Sequence, residues 1–449
     1  MSIIKPRTLS GFMELLPPDQ VCFDAMVHKL QDSFSLYGFT PLDTPIMESA
    51  EILLAKGGGE TEKQIYTLRK GDTDLAIRYE LTASLAKYVA LHYNDLTFPL
   101  RRYEIGKVYR GERAQRGRFR EFYQADIDII GDGSLDIMNE AEIPGVIYKC
   151  LTSLGLKRFN IKFNNRKILS GLFKILRIKE SSSEVMRVID KLDKIGKEKV
   201  SETLTEKIGL SQKQVDELLG FITNKSEPFG AIEAYKGINE AFDKGADELL
   251  ALRKHLTDFG VPETHFRVDL SIARGLDYYT GTVYETYLTD YPEVGAICSG
   301  GRYDNLAQYY TNRQMPGVGL SIGLTRLFYI LQEQGLLNDA LLTSPADVLI
   351  IPMTGDYSHA IKLATTMRES GLRVQIYSED KKFNSKVAYA DKLGIPFVVF
   401  LGEDEINQGL IKVKDMATGE QTTASYGILT AGILDKIKEL RKGVPIKEK

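Results

Sequence analysis

The sequence predicts a mixed α+β chain of more than one domain, and three observations point there. Its 449 residues exceed an ordinary single domain. A stretch of helical texture, 172–256, interrupts segments that read as strands. The last hundred or so residues alternate strand and helix, the pattern of a small, mainly parallel α/β unit. An apolar content of 43% is enough for large cores.

The first element is an amphipathic helix. Phe23, Met26, Val27, Leu30, Phe34 and Tyr37 recur at helical spacing after Pro17-Pro18-Asp19, and Gly38 stops the run. Strand-like runs follow at 75–77 and 123–130. In the second, alternation puts Gln124, Asp126 and Asp128 on one face and Ala125, Ile127 and Ile129 on the other. An amide and two carboxylates on so apolar a strand point to a lined cavity. Between 172 and 256, Val185, Val188, Ile189, Leu192 and Ile195 form one helical stripe, and Val215, Leu218, Leu219 and Ile222 another. This reads as a helical insertion. Strands resume at 266–270 and 282–288. After a linker at 338–345 come strand 348–351, helix 358–369, strand 372–377, helix 385–393, strand 397–401, one further strand, and helix 431–442.

Composition excludes several classes. The formal net charge is −3, so any nucleic-acid contact must come from a local basic patch. Cys22, Cys150 and Cys298 form no C-x-x-C pair, and the five histidines form no H-E-x-x-H, so no metal site is expected among the side chains. The first sixteen residues carry charges and a proline where a signal peptide needs an apolar run. No segment approaches the roughly 18 apolar residues of a membrane span. The expectation is a cytoplasmic chain with no membrane contact.

Four segments carry chemistry. The densest cationic one is Arg110-Gly-Glu-Arg113-Ala-Gln-Arg116-Gly-Arg118-Phe-Arg120-Glu-Phe122, after Arg101, Arg102 and Lys107. Such a run is usually a solvated hairpin. Here the arginines interleave with Phe119 and Phe122 and lead into the polar-faced strand. Guanidinium forks match phosphate oxygens, and phenylalanine can stack on a purine. The others are Arg274-Gly-Leu-Asp-Tyr278-Tyr279-Thr-Gly281, Cys298-Ser-Gly-Gly-Arg302-Tyr303-Asp304, and Gly317-Val-Gly-Leu-Ser-Ile-Gly323-Leu-Thr-Arg326. Alone, the second reads as a turn entering a strand, and the double glycine of the third permits close backbone approach.

Together and in this order, these segments resemble the class II aminoacyl-tRNA synthetases and, within them, the histidyl-tRNA synthetase family. The stretch 109–124 is similar to motif 2, 317–327 to motif 3, and 38–45 to the dimer-forming motif 1. The stretches 274–281 and 300–304 resemble two peptides peculiar to the histidine enzymes, and 78–82 resembles the amino-acid loop. The resemblance implies an antiparallel six-stranded catalytic sheet with a helical insertion and a C-terminal α/β anticodon-binding domain. The expected divisions are 1–171 and 257–337 for the catalytic domain, 172–256 for the insertion, and 345–449 for the anticodon-binding domain. It further implies a homodimer that activates L-histidine with ATP and Mg2+ and esterifies histidine tRNA, releasing AMP and pyrophosphate.

Residue roles carry over by the same resemblance. Glu80, Leu81, Thr82 and Gln124 belong to the amino-acid site, with Glu80, Thr82 and Gln124 on the ammonium. Asp128 and Tyr279 would take the imidazole nitrogens, one donor and one acceptor when neutral, and Tyr278 would line the same pocket. Arg110 and Arg274, the catalytic pair, would bracket the histidine carboxylate and the α-phosphate. Glu112 would touch adenine, Phe122 stack on it, and Arg118 and Arg326 hold the outer phosphates. Glu80, Leu81 and Asp128 stand where branches of the family carry aspartate, glycine and glutamate.

Two rivals are weaker. Gly319-Leu-Ser321-Ile-Gly323 matches the hydrolase G-x-S-x-G elbow, but His359 alone follows it and lies in the tail. A non-catalytic regulatory paralogue would lose the tail and erode the histidine peptides, and this chain keeps both.

Overall fold

The computed structural model describes residues 3–55, 62–178, 182–273, 279–338, 342–441 and 443–447. The chain divides into two units, one built mainly on Val27–Gly335 and the other mainly on Leu336–Lys447. The first unit contains β1 (Thr40–Pro41), β2 (Met47–Ser49), β3 (Thr67–Lys70), β4 (Thr73–Ile77), β5 (Leu100–Tyr109) and β6 (Glu121–Ile130). It continues with β7 (Phe159–Asn165), β8 (Phe266–Val268), β9 (Tyr279–Leu288), β10 (Cys298–Tyr303) and β11 (Gly317–Gly323).

Eight of these form one sheet in the order β1-β5-β6-β11-β10-β9-β7-β8. The six from β5 to β7 pair antiparallel throughout, as expected. Two short strands, β1 and β8, add in parallel at the edges and extend the expected six to eight. A separate small sheet runs β2-β4-β3. The helix Pro17–Leu36 ends before Gly38, whose φ of 73° lies where a Cβ is disfavoured. Its residue Phe34 is buried, 5.4 Å from the Tyr103 ring of β5.

One face of the large sheet is apolar, carrying Ala125, Ile127, Leu320 and Ile322, and it is covered by helices. Helix Ile137–Ser153 is capped by Asp136, which accepts from Met138 N at 2.8 Å, and Tyr284 on β9 donates to the Glu140 carbonyl within it. Helix Glu240–Asp258 packs on Ile137–Ser153 and on Arg166–Ile175. Gly171 makes the second contact possible, since a Cβ there would lie 2.6 Å from Phe242.

The expected insertion meets continuous helices at its ends. Its limits at 172 and 256 fall inside Arg166–Ile175 and Glu240–Asp258, helices of the layer that covers the sheet. The first stripe is also not one helix. Ser182–Ile189 and Leu192–Glu202 are separate elements, Gly196 takes φ 83°, and Ile195 is exposed. The second stripe forms as read: Ser211 and Gln214 make a capping box for Gln212–Ile222, which buries Val215, Leu218, Leu219 and Ile222.

The second unit contains β12 (Val348–Pro352), β13 (Val374–Ile376), β14 (Phe397–Leu401), β15 (Leu410–Asp415) and β16 (Gln421–Ser425), in sheet order β13-β12-β14-β15-β16. The first three are parallel and the last two pair antiparallel, so the sheet is mixed where the sequence predicts a mainly parallel one. The single expected late strand is a hairpin of two, and the final helix starts at Tyr426, earlier than expected. Val348, Ile350, Val399 and Leu401 pack with Leu363 and Ile437, while Leu349, Ile351, Val398 and Phe400 pack with Ala390 and Ile395. A strand buried on both faces has no polar alternation to show.

Asp347, fully buried before β12, accepts from Arg373 Nη2 at 2.9 Å and Arg441 Nη2 at 2.6 Å. Asp347→Ala is expected to destabilise this unit by about 2 kcal/mol, a hydrogen-bonded buried charge discounted for two part-exposed arginines. Urea unfolding followed by circular dichroism checks it, and an unchanged curve would refute it.

Candidate active site

The other face of the large sheet is polar, and the register assembles it. Residues directly opposite share a face. Asp126 on β6 lies opposite Glu104 on β5 and Ser321 on β11. Ser321 pairs with Ser299 on β10, Ser299 with Glu285 on β9, and Glu285 with Lys162 on β7. One row of polar side chains therefore crosses all six antiparallel strands. The next row holds Arg102, Asp128 and Gly319, and the one on the other side holds Gly106, Gln124 and Gly323.

Beneath this face lies a buried charge network. Glu104 takes Arg78 Nη1 at 2.9 Å, Arg102 Nη1 at 3.5 Å, and both the amide and the hydroxyl of Thr44 at 2.9 Å. Asp128 takes Arg102 Nη2 at 2.7 Å and the Tyr303 hydroxyl at 2.8 Å. Burial works against the charge on Arg102, but Asp128, Glu104 and Asp126 outweigh it and hold its pKa above the ordinary value. Burial, then the Asp128 charge, pushes the Tyr303 phenol far up, so it stays a donor. Glycine is needed in two places: a Cβ at 319 would sit 2.0 Å from Asp128 Oδ1, and one at 106 would sit 2.4 Å from Arg78 Nη2.

Two cavities open on this face. The smaller, about 350 Å³, is lined by Glu80, Thr82, Asp126, Asp128, Tyr279 and Tyr303, among others. The larger, about 860 Å³, is lined by Glu112, Arg118, Phe122, Lys162 and Arg326, with Ile189, Leu192 and Lys194 from the insertion. Arg110, Gln124, Glu285, Ser299 and Ser321 line both, so the cavities share a wall. Both volumes suit small-molecule sites.

The motif arginines are fixed individually. Arg110 Nε donates to the Tyr79 carbonyl at 3.0 Å, and its guanidinium lies 5.2 Å from the Phe122 ring centre. Arg118 Nη1 reaches Glu112 at 3.3 Å. Arg326 donates to the carbonyls of Ala296, at 3.0 Å, and Val294. Lys162 Nζ lies 3.1 Å from Asp269 Oδ2 and 4.4 Å from the Tyr287 ring centre. Burial opposes ionisation of Asp269, but hydrogen bonding from Ser271 and the Lys162 charge outweigh it and keep its carboxyl below the usual range.

The expected residues thus fall into three groups. Glu80, Thr82, Gln124, Asp128 and Tyr279 come together at the smaller cavity, and Glu112, Arg118, Phe122 and Arg326 at the larger, with Arg110 between them. The Leu81 side chain, between Glu80 and Thr82, is fully buried beside Gly106. Arg274 and Tyr278 lie outside the described residues. Sequence reasoning gave no role to Asp126, Lys162, Glu285, Ser299 or Ser321. The alternation of β6 signalled Asp126; the others depend on strand pairing.

Among the described residues, Gln124 Oε1 and Asp126 Oδ1 are buried with no hydrogen-bond partner. A bare buried oxygen costs roughly 1–3 kcal/mol, which an incoming donor removes. The Asp126 carboxyl is pushed up to about 7, first by burial, with Asp128 and Glu104 adding to it and Arg102 and the Ser321 hydroxyl opposing.

The comparisons agree with this geometry. Residues 11–327 match the family model described as histidyl-tRNA synthetase, and 347–436 match the one described as anticodon binding domain. The chain is 50% identical over 426 residues to a histidine–tRNA ligase of Clostridium tetani, covering 94% of this chain and 97% of that protein. It is 46% identical to that of Finegoldia magna, covering 93% and 97%. A crystal structure of histidyl-tRNA synthetase from Nostoc sp. PCC 7120 superposes with a TM-score of 0.88 at 36% identity, over 97% of this chain and 100% of that one. An ATP phosphoribosyltransferase regulatory subunit/histidyl-tRNA synthetase from Bacillus halodurans C, at 21% identity and a TM-score of 0.73, shares the fold, with 89% and 99% covered.

Two outcomes test the site's electrostatics. Asp128→Ala is expected to cost about 3–5 kcal/mol, because Arg102 loses its nearer buried partner, and Tyr303→Phe about 1.5–3 kcal/mol. Chemical denaturation reads both; two negligible losses would show that the network does not support the sheet. For Asp126, the folded chain holds a proton between about pH 4 and 7 that the unfolded chain has released. Its contribution to stability therefore falls as pH rises through that window. Asp126→Asn should be at least as stable as the parent above pH 7 and should lose that part of the slope, as melts at several pH values would reveal.

Proposed function

The chain belongs to the histidyl-tRNA synthetase family, and from that premise we propose that the smaller cavity takes histidine, the larger takes ATP, and adenylation occurs at their shared wall. The activity is that of a histidine–tRNA ligase, with tRNA, histidine and ATP as substrates. The observation that carries the placement is the pair of cavities joined through Arg110 and Gln124.

Glu80, Thr82 and Gln124 supply a carboxylate, a hydroxyl and a bare amide oxygen for the ammonium. Tyr279 and the aspartates of β6 face the imidazole. Phe122 offers a ring to adenine and Glu112 an acceptor beside it, while Arg118 and Arg326 meet the outer phosphates. The histidine carboxylate attacks the α-phosphorus, a new P–O bond forms, and the bond to the β-phosphate breaks with pyrophosphate leaving. Both reactants are negative, so the fixed guanidinium of Arg110 lowers the barrier by offsetting charge as it accumulates. Arg274, placed by sequence likeness to the histidine peptide, shares this task. The terminal hydroxyl of tRNA then attacks the activated carbonyl and releases AMP.

Magnesium would arrive with ATP and neutralise phosphate charge. Such an ion needs only one or two carboxylates beside the phosphates, and Glu285, on the shared wall, is one that would hold it. Among the described residues no side-chain cluster forms a preformed metal cage. The unit matching the anticodon-binding model would read the tRNA. A homodimer through 38–45, and a cytoplasmic setting, complete the reading. Among the described residues no helix is long and apolar enough to cross a membrane.

With the twenty amino acids supplied singly, histidine alone should support ATP–pyrophosphate exchange. Arg274→Ala should lower the single-turnover adenylation rate by about 10²–10³-fold, the scale of one lost preorganised donor, with ATP binding retained. Lysine at this position should restore little, because it lacks the planar fork. A destabilised but fully active Arg274→Ala would make that arginine structural.

A further inference from the structure

Glu285 on β9 puts a carboxylate on the wall between the two cavities, and a lysine stands across from it. Lys162 on β7 is its direct partner in the ladder. Opposite residues of an antiparallel pair have Cβ atoms roughly 5 Å apart, and opposite charges there ordinarily attract. This lysine turns elsewhere. Its ammonium lies 3.1 Å from Asp269 Oδ2 and 4.4 Å from the centre of the Tyr287 ring. Asp269 is itself fixed, because its Oδ1 accepts from the Ser271 amide at 3.2 Å and from the Ser271 hydroxyl.

A phenol reaches Glu285 along its own strand. Tyr287, two residues on and therefore on the same face, donates its hydroxyl to Glu285 Oε2. A hydroxyl and an ammonium act differently on a carboxylate. Both orient it, but the ammonium also cancels its charge, whereas the phenol leaves the charge in place. The face carried by β7 and β9 thus orders three side chains in sequence. Asp269 holds the Lys162 ammonium, the ammonium holds the Tyr287 ring, and the ring holds its hydroxyl on Glu285.

Resting on the placement of ATP and its Mg2+ at the shared wall, we propose that Tyr287 is a positioning residue for Glu285. Anchored by Lys162, it turns the carboxylate toward the cation that the nucleotide carries. Carboxylates that hold a metal are commonly oriented by a hydrogen bond from outside the coordination shell. Lys162 supports this arrangement from a distance. An ammonium set directly on Glu285 would compete with a divalent ion for the same oxygens, and Asp269 draws it away.

The test titrates α,β-methylene-ATP, whose α–β bridge does not break, onto the full chain in Mg2+ and in excess chelator. The parent should bind it more tightly with Mg2+. Tyr287→Phe removes one hydroxyl and keeps the ring. It should lose about 10-fold of that tightening, the low end for losing an outer partner of a ligating carboxylate. Its affinity without Mg2+, its KM for histidine and its melting temperature should stay near the parent's. Lys162→Met, which keeps the stem and drops the charge, should lose part of the tightening in the same sense. Glu285→Gln should lose at least as much as Tyr287→Phe, and combining the two should cost nothing further. The proposal is overturned if Tyr287→Phe keeps the parent's tightening, weakens binding equally with and without Mg2+, or adds its loss to that of Glu285→Gln. A raised KM for histidine with the tightening intact would also overturn it, by turning Glu285 toward the ammonium. Full tightening in Glu285→Gln would instead refute the placement of the cation at this carboxylate, and the role of Tyr287 with it.

Discussion

The catalytic unit depends on Arg102. Its guanidinium sits under the polar face of the sheet, buried, with Asp128 at 2.7 Å and Glu104 at 3.5 Å. A charge in that position is tolerable only if every partner is in place. Glu104 in turn recruits Arg78 and Thr44, which ties the loop before β2 and the loop after β4 to the centre of the sheet. The segment 78–82 begins at Arg78, so Glu80 and Thr82, which line the smaller cavity, are aligned by the same charges that hold the strands in register. Rigidity at the site and integrity of the sheet are thus one property.

Sheet register does the remaining organisation. Strands far apart in sequence put Asp126, Ser321, Ser299, Glu285 and Lys162 in one row because antiparallel pairing aligns opposite residues. Glycine at 319 leaves the volume that Asp128 fills, so one strand's missing side chain is another strand's functional group. The hydrolase-like Gly319-Leu-Ser321-Ile-Gly323 has the same explanation. Ser321 lies within β11, facing Asp126 across the ladder, and accepts from Gln124. A nucleophile elbow would place it on a strand-to-helix turn.

What was legible in the sequence follows from the range of the interactions involved. Local signals held well: the alternation over 123–130, the first helix ending before Gly38, and the stripe 215–222. The motif arginines and Phe122 were recognisable because their residue types are tied to phosphate and base chemistry. The stripe over 185–195 failed because periodicity does not register a chain break between helices, here followed by a glycine at positive φ. The polar row could not be read without register, since its members lie on strands far apart in sequence.

The shared wall between the cavities has a kinetic side. On the proposed placement, two ligands joined across Arg110, Gln124 and Ser321 would become one molecule that makes both sets of contacts while losing its translational freedom only once. Each half holds the other at a high effective concentration, so release requires both to let go together. The intermediate therefore has a far longer residence time than either precursor. A labile acyl phosphate is retained until the tRNA end arrives, with no separate device needed to keep it from escaping into water.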